Sequence, residues 1–282
     1  MERTVKDLLA AWSITEVAPI ALADATVTRG YLLAKNGIDK GTAFMIAVPY
    51  YTTLCDSPAR NISAYAVAPD YHRFFEMLFA DVLPKLRAAF PENTFVGFAD
   101  HSPIAEAEAA VKAGLGSFGK NHLFLNKKHG SYVFLGEIIT DAILSVTPAP
   151  ITTCTDCGAC LRACPAGLAV SGCLSALTQK KGALTTDEEN VILANGTAWG
   201  CDRCQDVCPV NKRAKENGTL YSSIPYFHEN ALPHLTARTV SEMPDEVFAA
   251  RAYSWRGRAV ILRNLALLEA HAPSDGGGKE QA

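Results

Sequence analysis

The stretch "CTDCGACLRACP", Cys154 to Pro165, sets four cysteines two, two and three residues apart and closes them with a proline. A second run, "GCDRCQDVCPV", Gly200 to Val210, repeats the Cys-Pro ending but lacks the regular triplet. A C-x2-C-x2-C loop wraps three thiolates around one face of a 4Fe-4S cube. The Cys-Pro that follows is turned away and ligates a neighbouring cube, as in two-cluster ferredoxins. By that rule Cys154, Cys157 and Cys160 belong to one cluster and Cys164 to the other. The second run supplies Cys201, Cys204 and the crossing Cys208, and Cys173 is the nearby upstream thiol that completes the count. The expected sets are therefore Cys154, Cys157, Cys160 and Cys208 on one cluster, and Cys164, Cys173, Cys201 and Cys204 on the second.

Zinc also accepts C-x2-C pairs, but three thiolates in one tight loop is an uncommon zinc spacing. A disulfide framework fits poorly. The chain has nine cysteines, an odd number, in 282 residues, and "MERTVKDLLA" does not read as a secretion signal. Clustered thiols in such a chain point to metal ligands in a reducing, cytoplasmic compartment. The ninth cysteine, Cys55, has no neighbour at ligand spacing. It reads as a small buried apolar residue and receives no role.

Composition adds bounds. Half the chain, 49%, is hydrophobic, enough for a sizeable core, and no apolar run reaches membrane-spanning length. The net charge of −3 gives no broad basic field for nucleic acid. A free-standing two-cluster ferredoxin needs only about 60 residues, so residues 1–150 must hold something else, most simply a redox cofactor or a substrate pocket.

Those residues alternate strand and helix patterns, an α+β arrangement. "AFMIAVPYY", Ala43 to Tyr51, predicts a buried strand, and Asp70 to Phe90 an amphipathic helix bent at Pro84. "NTFVGFAD", Asn93 to Asp100, predicts a second strand. A helix follows with Ser102 as N-cap and Pro103 in its first turn, ending at Gly114 or Gly116. "HLFLNKKHGSYVFLGEIIT" predicts a hairpin turning at Lys128 to Gly130. The segment after the cysteines reads as helical, and the Gly-rich end as disordered.

Asp100 stands at a strand end before a helix, where ligands approach open sheets. An apolar surround there would raise its pKa into the range of a usable general acid; alternatively it caps the following helix. "GLGSFGKN" matches neither a P-loop nor a dinucleotide fingerprint in context, because its glycines follow a helix instead of opening one. They suit either a merely tight loop or a close approach to a bulky planar cofactor. Arg251, Arg256, Arg258 and Arg263 read either as an RNA-facing helix or as an ordinary solvated face.

The order "ADHSPIAEAEAAVKAGLGSFGKNHLFLNKKHGSYVFLGEIITD", "CTDCGACLRACPAGLAV", Cys173 and "GCDRCQDVCPVNK" resembles the epoxyqueuosine reductases, over about Tyr65 to Asn264. The resemblance implies a nitroreductase-like, cobalamin-binding α+β domain in residues 1–150. A ferredoxin-like double 4Fe-4S domain would occupy 151–215, C-terminal helices 216–272, and a disordered tail 273–282. It implies base-off cobalamin fed by two 4Fe-4S clusters, with reduction of an epoxide to an alkene on epoxyqueuosine in tRNA. Asp100 falls on the family's proton donor. Gly119, Lys120 and Asn121 fall on its cofactor-pocket loop, and Cys201 and Asp202 fall where the cluster loop nears the corrin. An external donor of ferredoxin or flavodoxin type, a tRNA or nucleoside-like substrate, no membrane partner and a monomeric state complete the expectation. The family's helical HEAT-type repeats would begin about where "RGRAVILRNLALLEAHA" stands, which leaves the tRNA-gripping region missing or reduced to one helix. A cobalamin-dependent reductase of another substrate, such as a reductive dehalogenase, and a non-catalytic electron-transfer protein are the competing functions.

Overall fold

The computed structural model describes residues 1–169 and 172–272; the expected tail, 273–282, lies outside them. The chain opens with α1 (Glu2–Ala10), β1 (Glu16–Ala21), α2 (Gly30–Lys35) and β2 (Thr42–Pro49). Next come α3 (Tyr71–Ala89), β3 (Phe95–Phe98), α4 (Glu106–Lys112), β4 (Gly116–Phe118), β5 (Phe124–Asn126) and β6 (Val133–Thr140). The cysteine region carries α5 (Ala159–Ala163), α6 (Leu174–Thr178), α7 (Thr186–Asn195), α8 (Arg203–Asp206) and α9 (Pro209–Glu216). Three helices close the described chain: α10 (Ala237–Ser241), α11 (Asp245–Ala249) and α12 (Arg258–Ala270).

Four strands form one sheet in the order β1-β2-β6-β3, every neighbouring pair antiparallel. All eight residues of β2 are buried, because helices cover both faces of the sheet at its centre. On one face Phe44, Ile46 and Val48 pack with Phe74, Leu78, Val82 and Leu86 of α3. On the other, Ala43, Met45 and Ala47 meet Ala109, Ala110 and Val111 of α4. The period-2 alternation of a strand thus serves two cores. Trp199, Tyr253, Ile261 and Leu265 join the α3 side, so the cysteine region and the last helices are built onto the core of the first half.

α3 matches its sequence reading in extent and in the buried face of Phe74, Leu78, Val82 and Leu86. Asp70 caps it by accepting from the His72 amide at 2.9 Å, and the helix runs through Pro84 to Ala89. Two expectations are corrected. The helix after Asp100 starts at Glu106, with Ala105 as its N-cap. Ser102 is buried and uses its hydroxyl otherwise, accepting from the Ile104 amide at 3.1 Å and donating to Glu137. The hairpin also does not form: β5 pairs with β4, while β6 enters the large sheet between β2 and β3. Asn126 explains the break. Its buried Oδ1 accepts from the Lys128 and His129 amides, 2.9 Å each, closing a turn within the loop, and the Asn211 Oδ1 then accepts from the Ser131 amide at 2.8 Å. The chain is redirected by side chains, so the two strands do not meet.

Candidate functional site

The first cysteine loop is short and strongly turned: Asp156 and Gly158 have φ of 51° and 71°. Residue 158 can take this conformation cheaply as glycine, and Gly158 opens α5, which carries Cys160. The loop is tied to the first half where the Cys154 amide donates to the Phe118 carbonyl at 2.8 Å. The second Cys-Pro pair behaves as its sequence suggests. Cys208 is the N-cap residue of α9, and Pro209 occupies the first turn, where no amide hydrogen is needed. α5 packs against α8, which brings the two cysteine runs together.

One cavity is bordered by Cys154, Cys157, Cys160 and Cys208, with Gly119, Lys120 and Asn121 on its wall. These are the four thiols of the first expected set, the crossing Cys208 included. The second set lies around α6 and α8: the Cys201 thiol feels Cys204 and Cys173, and the Cys204 thiol feels Cys164 and, less strongly, Cys160 of the first set. Burial pushes both Cys201 and Cys204 up to about 11, so thiolate ligands there need compensating positive charge such as iron. Among the described residues no three His, Cys, Asp or Glu side chains converge on a position for a single ion. Soft thiols on either side of a shared wall are a donor set that fits two iron-sulfur clusters.

Asn121 belongs to that wall. It borders the first cavity, and its side chain also faces Cys204, opposing the upward push of burial on that thiol. Lys120 pairs with Asp156 of the cysteine loop at 2.6 Å, and its cation feels Cys160 and Cys154. A Cβ at Gly119 would stand 2.3 Å from the Asn121 Oδ1 and 3.2 Å from the Leu123 carbonyl, so a side chain there would displace Asn121. The "GKN" segment therefore closes over the cysteines. Cys55 is buried, as its reading as a small buried residue expects, and burial pushes its thiol up.

Asp202 anchors the cluster loop. Its carboxylate, 5% exposed, accepts from Arg60 Nη1 and Ser63 Oγ at 2.5 Å each, the Ala64 amide at 2.7 Å and Gln205 Nε2 at 3.1 Å. With its oxygens so engaged, Asp202 bolts residues 60–64 of the first half to the loop between Cys201 and Cys204. The four arginines near the end do not share one environment. Arg251 is buried, Arg258 pairs with Asp245 over the Phe248 ring, and Arg263 donates to the Lys180 and Gly182 carbonyls. Arg256 stacks on the exposed Trp255.

Asp100 stands at the tip of a tight turn after β3 with φ of 64°, a left-handed conformation that Asp tolerates better than most residues. Its side chain is 68% exposed and lies 3.6 Å from His72 Nε2. The expected apolar surround is absent, and Asp100 caps no helix. His72 is drawn up by its hydrogen bond to Asp70 and, less strongly, by Asp100. Beside the tip, Tyr31 OH and His101 Nε2 lie 3.0 Å apart, and Tyr31 is itself exposed. The result is an open face on which Asp100, His72, Tyr31 and His101 stand together. Sequence reading missed what lies beneath it: the carboxyl groups of Glu106 and Glu137. The available signal was Glu137 itself, a charged residue inside the apolar strand "YVFLGEIIT".

Residues 153–211 match the family model of the 4Fe-4S double cluster binding domain. Fold and cysteine sets together make this a double-cluster iron-sulfur protein on an α+β scaffold. The chain is further a relative of the epoxyqueuosine reductases. It is 38% identical to that of Pseudomonas aeruginosa over 166 residues, 56% of this chain and 45% of the relative. It is 34% identical to that of Cyclobacterium marinum over 217 residues, 71% of this chain and 66% of the relative. The solved epoxyqueuosine reductase of Streptococcus thermophilus shares the fold with a TM-score of 0.78 at 24% identity, covering 96% of this chain and 81% of that one. An epoxyqueuosine reductase solved with an epoxyqueuosine-modified tRNA stem loop superposes with a TM-score of 0.74 at 23% identity, over 96% of this chain and 82% of that one. The chain spans about half the length of the first curated relatives it matches. No described helix is long and apolar enough to cross a membrane.

Proposed function

We propose that this chain is an epoxyqueuosine-reductase-like oxidoreductase of the cytoplasm, reducing the epoxide of epoxyqueuosine in tRNA to an alkene. It would use two 4Fe-4S clusters and base-off cobalamin, with electrons from an external ferredoxin or flavodoxin type donor. The observation that carries this reading is the pairing of a two-cluster cysteine array with an open face bearing Asp100 on one scaffold. Net, the epoxide takes up two electrons and two protons, both of its C–O bonds break, a C=C bond forms, and the oxygen leaves as water. Bound cobalamin and the clusters would supply the reducing electrons.

The residues of this chain supply the rest. Cys154, Cys157, Cys160 and Cys208 hold one cluster, and Cys164, Cys173, Cys201 and Cys204 the other. Asn121, between the sets, screens the thiolates from water and offers them its amide. Asp202 keeps Cys201 and Cys204 in place from behind. Asp100, exposed and beside His72, holds the proton delivered to the departing oxygen, and His72 can return one from solvent.

The test begins with anaerobic reconstitution. The protein should bind about eight iron atoms and, given cobalamin, show the base-off spectrum. It should then reduce an epoxyqueuosine-modified tRNA stem loop under a strong reductant. Asp100→Asn should lower that turnover by roughly 100-fold or more while iron content is unchanged. A protein that takes up clusters but no corrinoid would refute the proposal in favour of electron transfer.

A further inference from the structure

Beneath the Asp100 tip two carboxyl groups meet. Glu137, on β6, is fully buried, and its strand neighbours in the sheet, Met45 and Phe98, carry no charge. Its Oε1 accepts the Ser102 hydroxyl, and its Oε2 is buried without a donor facing it. Glu106, in the first turn of α4, lies against it in hydrogen-bond contact. Two carboxylates cannot hydrogen-bond to each other, because both only accept; the contact requires that one of them carry a proton. The donorless Glu137 Oε2 is the place for it. Glu106 is left as the acceptor, and its Oε1 takes a second hydrogen bond, from the Asp100 amide at 3.1 Å.

The backbone on both sides of the tip is fixed. Phe98 is the last residue of β3, paired opposite Glu137. Ser102 is buried, and the carbonyl of the next residue, Pro103, accepts from the Thr28 and Arg29 amides at 2.8 and 3.0 Å. Between these anchors lie only Ala99, Asp100 and His101. Ala99 packs against the core, and the Asp100 amide is the tip's hydrogen bond to the carboxyl pair, its acceptor being Glu106.

We propose that the Glu106–Glu137 pair, holding one proton between two carboxyl groups, positions the Asp100 tip through the Asp100 amide. The pair is a positioning device; its catalytic meaning rests on the proposed role of Asp100 as proton donor. Burial is the main force on both groups, pushing Glu106 up to about 7 and Glu137 well above the carboxylate range. Near neutral pH Glu106 therefore passes between a charged, strong acceptor and a neutral, weaker one. The other groups facing the pair are the Asp100 carboxylate, which raises Glu106, and Arg29, which lowers it. Tyr71 on α3 feels both Asp100 and Glu106, and His72 faces Asp100 from the same helix. Above about pH 7 the tip is held more firmly than below it.

Hydrogen exchange of the peptide spanning Phe98 to Glu106, in the reconstituted full-length protein, tests this directly. With the chemical pH dependence of exchange divided out, protection of the tip should rise about tenfold from pH 6 to pH 8, following the ionised fraction of a group titrating near 7. Glu106→Gln should flatten the profile. Glu137→Gln, whose amide donates to Glu106 and whose oxygen still accepts from Ser102, should keep the step. In turnover, kcat should carry the same step and KM should not, with the step lost in Glu106→Gln and retained in Glu137→Gln. A flat wild-type profile refutes the proposal even if Glu106→Gln fails to fold, and so does a wild-type step in a folded Glu106→Gln protein. A stepped tip in a protein that reduces no epoxide would support the positioning pair and refute the proposed reaction. Turnover with a flat tip would do the reverse.

Discussion

Removing the Asp202 carboxylate should cost this protein more stability than any surface charge, and the structure says why. The Arg60 side chain is only 15% exposed and the Asp202 side chain 2%, so Asp202→Ala leaves a guanidinium without its counter-ion. It also strips acceptors from Ser63 and from the Ala64 amide. Breaking one side of a buried pair costs about 3–5 kcal/mol, and a lower bound of about 3 kcal/mol raises the population of locally opened molecules about 100-fold. Opening would expose the loop carrying Cys201 and Cys204. The assay is the rate of iron release to a chelator from the reconstituted protein, alongside its urea midpoint. Replacing both partners by apolar residues, Arg60→Met with Asp202→Leu, should recover part of the loss, because the guanidinium left without its counter-ion is removed while Ser63 and the Ala64 amide still lack their acceptor. An Asp202→Ala protein within about 1 kcal/mol of wild type, or a double variant as fragile as the single one, would refute the reasoning.

Other outcomes follow from single residues. Gly200→Ala places a Cβ 2.4 Å from the Ser63 Cβ at a φ of +71°, and should cost roughly 1–3 kcal/mol in the urea midpoint. The pH dependence of stability should carry the mark of Glu106, which binds a proton in the folded state up to about pH 7 but only up to its ordinary 4.5 when unfolded. Across that window the folded state holds more protons, so this contribution falls as pH rises. Melting temperatures between pH 5 and 8 should therefore decline less in Glu106→Gln than in wild type.

How far the sequence could be read depends on whether the cause was local. Cysteine spacing is a local property of two short loops, and the cavity bordered by Cys154, Cys157, Cys160 and Cys208 follows from it. The β2 strand and α3 were legible for the same reason, since their apolar patterns repeat within one element. The hairpin was not. Lys128 to Gly130 has the composition of a turn, but Asn211, 80 positions from Ser131, decides where the chain goes next. Asp100 was found by its place after a strand, yet the groups that flank its tip, Tyr31 and His72, come from distant segments. Arg263 is a similar case: it is occupied by the carbonyls of Lys180 and Gly182, which no helical pattern announces.

The crossing of the two Cys-Pro pairs is open to a decisive genetic test. In the crossed arrangement Cys208 shares a cavity with Cys154, Cys157 and Cys160, whereas Cys164 neighbours Cys204. In an uncrossed one, each run would keep its own final cysteine. Single Cys→Ala variants do not discriminate, since each should drop bound iron from about eight atoms towards about four. Pairs do. Cys154→Ala with Cys208→Ala removes two ligands from one cluster in the crossed arrangement and should leave about four iron atoms. Cys154→Ala with Cys164→Ala strikes both clusters and should leave almost none. The uncrossed arrangement reverses these two results, so iron and sulfide analysis of the double variants, made anaerobically beside each other, separates the possibilities. Retention of one intact cluster in the Cys154→Ala, Cys164→Ala protein would show that the proline after Cys164 does not send that thiol to the neighbouring cluster.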